Sequence, residues 1–140
     1  IKAKFTDSLG NDLVAEFTVN TTTSDDQRYP KIKYSNQGFV FITWMGIGTN
    51  GDWDVYGKVF DTSGNVLTGE TILHADLSGN QKSPDLALTP NGDLIVVWQD
   101  DTEISGTRYV SNTSSFSANF QIDSSGVAQL MPVVAGLTNN

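Results

Sequence analysis

One stretch of the chain already describes a pair of β-strands: Ser83-Pro-Asp-Leu-Ala-Leu-Thr-Pro-Asn-Gly-Asp-Leu-Ile-Val-Val-Trp98. Two apolar segments flank its centre, where Asn91-Gly92 is a strong hairpin signal because both residue types tolerate positive φ. The second segment, Leu94–Trp98, is rich in the β-branched and aromatic residues that suit a pleated, half-buried surface. The stretch therefore predicts two antiparallel strands joined by a tight turn.

This hairpin belongs to a sequence that occurs twice. Shifting the chain by 54 residues lays residues 4–44 on residues 58–98 without a gap, with 11 identities in 41 positions. The identical pairs are Lys4/Lys58, Asp7/Asp61, Gly10/Gly64, Asn11/Asn65, Leu13/Leu67, Glu16/Glu70, Ser24/Ser78, Gln27/Gln81, Pro30/Pro84, Gly38/Gly92 and Trp44/Trp98. Such an internal repeat has to be recognised first, because it decides the architecture.

A third, fainter copy follows at a shorter offset. The Gln-x-x-Pro pattern of the first two copies returns as Gln129 and Pro132, and the chain stops before this copy would reach its Trp. We expect the recurring Gln, Pro and Trp residues to be structural, the Trp residues in packing between repeats and the Gln-x-x-Pro pattern in a corner at a sheet edge. These positions are Gln27, Pro30, Trp44, Gln81, Pro84, Trp98, Gln129 and Pro132.

Each repeat is predicted to contain four short strands. The clearest copies are Val55–Phe60, Glu70–His74, Pro84–Thr89 and Asp93–Gln99. Their counterparts are Ile1–Thr6 and Gly106–Ser111 for the first strand, Glu16–Asn20 and Asn119–Asp123 for the second, Pro30–Ser35 and Pro132–Leu137 for the third, and Gly38–Met45 for the fourth. No window has a sustained 3.6-residue apolar period, so we predict an all-β chain of repeated, four-stranded antiparallel units.

The hairpin of residues 83–98 resembles the inner hairpin of TolB-like and WD40-like β-propeller blades. The wider pattern of Gln-x-x-Pro, a Gly-Phe-Val-x-x-Trp strand and Asp-Val-Tyr-Gly-Lys-Val-Phe-Asp is similar to tandem repeats of large bacterial and protist extracellular or surface proteins. The resemblance covers nearly the whole chain and implies propeller-like blades, but it implies no activity. A β-sandwich in which two repeats form facing sheets is the alternative fold.

In blade order the chain forms one repeat region over residues 1–140 with incomplete ends. Residues 1–20 would be the outer half of one blade, residues 30–74 and 84–123 two full blades, and residues 132–140 the start of a truncated blade. Such a set cannot close a ring alone, and unpaired strand edges recruit partners. We therefore expect neighbouring repeats of a longer chain, or copies of the chain that form a homo-oligomer or polymer.

Composition excludes several partners and chemistries. The net charge is −8, so a nucleic-acid partner is not expected, because such partners require basic surface. No apolar run approaches the roughly 20 residues of a membrane span, so no membrane insertion is expected. The chain has no cysteine and only one histidine, His74. It offers no catalytic triad or multi-His metal site, so we expect no enzyme, no resident metal and no cofactor.

One loop is a candidate ligand site. Trp53 lies in residues 46–54 between Asp52 and Asp54, and the shorter loop of the next repeat has no counterpart for it. A Trp ring can stack on a sugar while carboxylates accept hydrogen bonds from its hydroxyl groups. The sequence thus keeps a carbohydrate-binding module as the first alternative, with glycans as ligands.

Calcium is a weaker candidate ligand. Asp61-Thr-Ser-Gly-Asn65 begins like an EF-hand loop, but Val66 replaces the required Gly and Ile72 replaces the required Glu, which excludes that motif. A looser oxygen site near Asp52 and Asp54, or near Asp100 and Asp101, is a further hypothesis.

Two N-glycosylation sequons, at Asn20 and Asn112, would carry glycans if the chain enters a eukaryotic secretory path. Few lysines and many Thr, Ser and Asn residues suit an extracellular or cell-surface protein. The expected function is a non-enzymatic structural or adhesive module of a surface protein or filament. A hydrolase on a propeller scaffold is the weakest alternative, because no pair of carboxylates stands out.

Overall fold

The computed structural model describes residues 1–123, 125, 127 and 130–137. These residues form eleven strands and no helix, so the predicted all-β antiparallel organisation is confirmed. The strands are β1 (Lys2–Thr6), β2 (Asp12–Thr18), β3 (Gln27–Ser35), β4 (Phe39–Ile47), β5 (Trp53–Asp61), β6 (Val66–Ile72), β7 (Gln81–Leu88), β8 (Leu94–Asp100), β9 (Glu103–Val110), β10 (Ser115–Phe116) and β11 (Phe120–Asp123).

The strands form three antiparallel sheets in chain order. The first sheet contains only β1 and β2, whereas the middle sheet has the order β3-β4-β5-β6. The last sheet has β7, β8 and β9 in sequence, and the short strands β10 and β11 both pair with β9. The second and third sheets therefore use the same meander, and the outer strand of the last sheet is divided in two.

The turns repeat in atomic detail. Asp7 Oδ1 accepts the backbone N–H groups of Leu9 and Asn11, and its Oδ2 accepts the Asn11 side-chain amide. Asp61 receives the same three bonds from Ser63 and Asn65. The two turns thus confirm that the 54-residue shift relates equivalent structures.

The sequence offset between equivalent residues changes at the last strands of the last sheet. Trp44 lies opposite Tyr56 and its equivalent Trp98 lies opposite Ser105, so β9 corresponds to β5 at an offset of 49 residues. The sequence alignment, which matched Gly106–Ser111 to this strand, is therefore two residues out of step. The cause is the β8–β9 turn, which is shorter than the 46–54 loop of the middle sheet.

The three sheets pack face to face, and β4 in the middle sheet is buried on both faces. Val40, Ile42 and Trp44 face the first sheet, where they pack with Phe5 and Val19. Phe39 and Phe41, which alternate with these residues along β4, face the last sheet. Successive side chains of a strand point to opposite faces, so one fully apolar strand can serve two interfaces.

Equivalent residues build the two interfaces. The residues that pair by the repeat are Phe5/Val59, Val19/Leu73, Val40/Leu94, Ile42/Val96, Trp44/Trp98 and Phe60/Tyr109, and all of them are buried in the corresponding clusters. Each sheet therefore packs on the preceding one through the same face. The described residues form no closed ring, so this stacking is as compatible with a sandwich as with a propeller.

The Gln-x-x-Pro pattern marks a repeated backbone distortion. Tyr29, Ser83 and Met131 each precede a proline, and each has a φ of 53°. In β3 and β7 the strand register shifts at this point, between Arg28 and Lys31 and between Lys82 and Asp85. The following proline disfavours the right-handed helical region, and a non-glycine residue at positive φ costs roughly 1–3 kcal/mol. The surrounding structure must therefore offset the cost of this backbone conformation.

The C-terminal segment departs from prediction. Residues 130–137 form no strand, although residues 132–137 were predicted to do so. The segment lies beside β7, where the Val134 backbone N–H donates to the Asp85 carboxylate at 3.0 Å. A single hydrogen bond to a side-chain carboxylate does not create the series of backbone–backbone bonds that defines a β-strand. Gln129 and residues 138–140, which belong to the predicted truncated copy, lie outside the described residues.

Candidate functional site

Trp44 and Gln27 form one hydrogen-bonded unit. The Trp44 indole N–H donates to Gln27 Oε1 at 2.8 Å, and the Gln27 amide donates to the Ser24 carbonyl at 3.5 Å. Gly46 faces Gln27 across the strand pair, and a Cβ there would lie 2.3 Å from Gln27 Oε1. The bond thus depends on the glycine, and it gives these repeat positions a structural role.

The equivalent unit in the last sheet is arranged differently. Gln81 is fully buried, and its amide donates to Asp100 Oδ1 at 2.8 Å and to the Ser78 carbonyl at 3.0 Å. Asp100 occupies the position of Gly46, opposite the Gln. Its carboxylate engages the Gln81 amide, while Gln81 Oε1 and Trp98 Nε1 have no hydrogen-bond partner in the described part of the chain.

The candidate ligand residues around Trp53 do not converge on one site. Trp53 is half-buried, and the guanidinium of Arg28 lies 5.4 Å from the centre of its ring. This distance is within the range of a cation–π contact, so the Arg28 side chain covers one face of the Trp53 ring. Asp52 is half-buried in the loop, whereas Asp54 points into the interior. The carbohydrate-binding hypothesis stays a prediction.

Asp54 and His74 form a buried polar pair that the sequence did not bring together. His74 Nε2 lies 3.3 Å from Asp54 Oδ1, and both side chains are more than nine-tenths buried. His74 Nδ1 is 2.6 Å from the Asp76 carbonyl, which can only accept, so Nδ1 carries a proton. The repeat aligns His74 with Asn20 and Asp123 as the last residue of the predicted second strand, but nothing in the sequence indicated Asp54 as its neighbour.

Burial governs the ionisation of Asp54. Loss of solvent raises the pKa of Asp54, and the charge of His74 and a hydrogen bond from Tyr56 oppose that rise. The Tyr56 hydroxyl lies 3.4 Å from Asp54 Oδ2, and burial together with the Asp54 charge raises the pKa of Tyr56 to about 12. The side chains of Asp54 and His74 are buried and that of Tyr56 is half-buried, as suits a polar contact within the packed interior.

Several of the acidic residues considered for calcium already accept hydrogen bonds from other groups of the fold. Hydrogen bonds from Asn65 hold the pKa of Asp61 below its usual range, and Asn11 does the same for Asp7. Asp101 Oδ1 accepts the Asn80 N–H at 3.0 Å, and Asp100 is bonded to Gln81. Among the described residues, no three His, Asp or Glu side chains lie close enough to hold a metal ion together.

The two sequons lie in different environments. Asn20 is buried, and its Nδ2 donates to the Thr22 carbonyl at 2.7 Å. Asn112 is exposed in the turn that follows β9. A glycan joins the amide nitrogen, so only Asn112 presents that atom for modification in the folded chain.

Asp93 and Arg108 form the best-connected ion pair in the last sheet. Both Nε and Nη2 of Arg108 donate to Asp93 Oδ2, with the Nε contact at 3.1 Å. Asp93 Oδ1 accepts the Ser111 backbone N–H at 2.9 Å and its hydroxyl at 3.0 Å. Burial would raise the pKa of Asp93, but the Arg108 and Ser111 bonds outweigh burial and lower it.

An open apolar surface lies at the first sheet. A groove of about 390 Å³ is lined by Phe5, Thr6, Leu13, Ile32, Tyr34, Val40 and Thr62. Ile32 is 53% exposed and Tyr34 is 60% exposed, although both belong to β3 of the middle sheet. The equivalent of Ile32 in the last sheet, Leu86, is only 2% exposed. The groove, which we call the first-sheet groove, is the candidate interaction site, and sequence analysis did not single out its residues.

Compared with protein-family models, with curated proteins and with solved structures, the chain matches none of them. The described part of the chain contains no helix of the length and apolarity needed to cross a lipid bilayer.

Proposed function

We propose that the chain is a non-enzymatic structural or adhesive β-repeat module of an extracellular or cell-surface protein. It extends a propeller-like stack of sheets by packing against copies of itself or against neighbouring repeats. The observation that carries the proposal is the use of equivalent residues at both sheet interfaces, with an apolar face left exposed at the first sheet. A unit whose sheets pack through equivalent residues, and whose first sheet leaves an apolar face exposed, is suited to assembly with further units.

The placement of the acidic residues supports a structural role over a catalytic one. Asp7 and Asp61 bind their own turns, Asp93 binds Arg108, and Asp54 is buried against His74. Each of these carboxylates thus has a partner within the fold. The low lysine content and the exposed sequon at Asn112 support an extracellular location.

The test is the assembly state of this chain, measured by light scattering over a wide concentration range and by negative-stain microscopy. The proposal expects rings or filaments, or oligomers whose size rises with concentration. A monomer at every concentration would remove self-assembly and leave neighbouring repeats of a longer protein as partners. That second form would then be tested by linking two copies of residues 1–137 in tandem, and the absence of any cooperative gain in stability would overturn it.

A further inference from the structure

The geometry of the buried Asp54–His74 pair bears on how many protons it holds. His74 Nδ1 donates to the Asp76 carbonyl at 2.6 Å, so the other ring nitrogen, Nε2, is the atom that faces Asp54. Nε2 lies 3.3 Å from Asp54 Oδ1 and has no hydrogen-bond partner in the described part of the chain. Without a further proton, the lone pair of Nε2 and the carboxylate would repel each other, away from water. A proton on either atom replaces this repulsion with attraction.

The neighbouring groups of the middle sheet favour retention of that proton. Burial raises the pKa of Asp54, and the charge of Asp52 adds to the rise. The Asp76 carboxylate also lies close enough to interact with the charge of His74. Burial raises the pKa of Tyr56, a further titratable neighbour, to about 12, so its hydroxyl is uncharged at neutral pH. The two negative neighbours make a second, uncompensated negative charge at Asp54 unfavourable.

The last sheet faces the His74 ring with uncharged groups. The centre of the Trp98 ring lies 6.3 Å from that of the imidazole, and Asn119 lies beside the same segment. The acidic residues Asp100 and Asp101, which follow Trp98 along the chain, are bonded to residues 80 and 81 at the start of β7. The proton balance of the pair is therefore set within the middle sheet.

The backbone around His74 is nevertheless bound to the last sheet. The Asn119 side chain, between β10 and β11, donates to the Leu73 carbonyl at 2.8 Å and accepts the Ala75 N–H at 2.7 Å. These two bonds flank His74, and its ring packs beside Trp98 of β8. A change in the charge of the pair thus acts at the contact between the two sheets.

The preceding pair of sheets uses the same contact without a histidine. Asn20 is the repeat equivalent of His74, and Glu70 is the equivalent of Asn119. The Glu70 carboxylate accepts the backbone N–H of Thr21, as Asn119 accepts that of Ala75. The chain therefore contains an internal comparison, in which an amide occupies the position of the imidazole.

We propose that the Asp54–His74 pair is a proton-binding site that makes the contact between the middle and last sheets depend on pH. In an unfolded chain an aspartate loses its proton near pH 4 and a histidine near pH 6.5. Above about pH 6.5 the folded chain thus holds one proton more than the unfolded chain, so the contact weakens as the pH rises. The site acts within one chain, and its test does not depend on the assembly state.

The first measurement counts the protons directly. His74 is the only histidine of the chain, so its ring nitrogens give unambiguous nitrogen-15 signals, and the Asp54 carboxyl carbon reports the second group. We expect Nδ1 to stay protonated between pH 5.5 and 8.5, and the pair to keep its second proton in most molecules at pH 7.5. A bare Nε2 together with an ionised Asp54 at pH 7.5 would overturn the inference.

The variant Asp54→Asn removes the need for the proton, because an amide N–H can face Nε2. We expect the ratio of the unfolding constant of the unchanged chain to that of the variant to rise by up to about tenfold per pH unit between pH 6 and 8.5, as one proton requires. His74→Asn, which introduces the residue found at Asn20, should likewise remove the dependence above about pH 6.5. The control Asp52→Asn keeps the pair and should retain most of it. Parallel curves for the unchanged chain and Asp54→Asn would contradict the proposal.

Hydrogen exchange tests the link to the sheet contact. We expect the protection factor of the Ala75 amide, bonded to Asn119, to fall as the pH rises from 6 to 8.5. The protection factor of the Thr21 amide, bonded to Glu70, should stay constant, and Asp54→Asn should remove the change at Ala75. If the two amides respond alike in the unchanged chain, the pair does not control this contact and the inference is wrong.

Discussion

Leu86 and Ile32 occupy the same position of the repeat and have opposite environments. Leu86 is 2% exposed and packs beneath the inner hairpin of the middle sheet, whereas Ile32 is 53% exposed at the first-sheet groove. Both are large aliphatic residues on an inner strand. The difference lies in which residues cover each side chain. It shows that one sheet of this fold buries the apolar residues of the next only where its own strands lie opposite them.

The largest expected effect separates these two positions directly. We expect Leu86→Ala to lower the free energy of unfolding by about 2–5 kcal/mol, because it removes buried methyl groups and leaves a cavity. Ile32→Ala should change it by no more than about 0.5 kcal/mol, as at other exposed positions. Urea unfolding of the two variants beside the unchanged chain measures both values. Similar losses at the two positions would mean that the groove is already covered in solution, for example by a second copy.

A second comparison concerns two buried aspartates with opposite pKa directions. Burial raises the pKa of Asp54, whereas hydrogen bonds from Arg108 and Ser111 lower that of Asp93 despite its burial. The contribution of the Asp93 charge to stability is therefore complete above about pH 4, which is the pKa of an aspartate in the unfolded chain. This contribution is lost as the pH falls through the lower pKa of Asp93 in the folded chain. Asp54 acts in the opposite sense and favours the folded state as the pH falls through its raised pKa.

We expect Asp93→Asn to reduce stability at pH 7 by about 1–2 kcal/mol, a value discounted because Arg108 is 45% exposed. The loss should shrink as the pH falls below about 4 and through the lowered pKa of Asp93, because Asp93 itself then becomes protonated. Thermal unfolding at a series of pH values provides the measurement, and Asp25→Asn, at an exposed position, serves as the control. A loss at pH 2 as large as that at pH 7 would show that the charge of Asp93 is not what stabilises the fold.

The smallest expected effect distinguishes the two sequons. If the chain is secreted from eukaryotic cells, we expect a glycan on Asn112 and none on Asn20 once the fold has formed, because only Asn112 is exposed. Asn112→Gln should remove the mass shift seen by intact mass spectrometry, and Asn20→Gln should leave it unchanged. A glycan on Asn20 would indicate that modification precedes folding of the first sheet.

Much of the fold could be predicted from local chemistry. Asn91-Gly92 specifies a hairpin through a backbone turn, and the Asp-x-x-Gly-Asn turns do so through side-chain bonds that span only a few residues. The 54-residue repeat then implied that equivalent strands form equivalent sheets, as the matching turns of Asp7 and Asp61 and the shared φ of 53° at Tyr29 and Ser83 illustrate. The altered register of β9 was missed because it depends on the length of one turn.

The candidate site could not be predicted in the same way. Trp53 and Asp54 are adjacent in sequence, yet Trp53 packs under Arg28 and Asp54 pairs with His74, each from another part of the chain. Alternation along a strand sends neighbouring side chains to opposite faces, so proximity in sequence did not place them in one site.

The sequence by itself determined the all-β composition, the turns and the repeat, because these depend on backbone preferences and on residues a few positions apart. Only the tertiary structure decided that Leu86 is covered while Ile32 is exposed, and that basic β1 and β3 border one groove. The physical reason is that burial is a property of what lies opposite a side chain. Two equivalent residues therefore differ as soon as their neighbouring sheets differ.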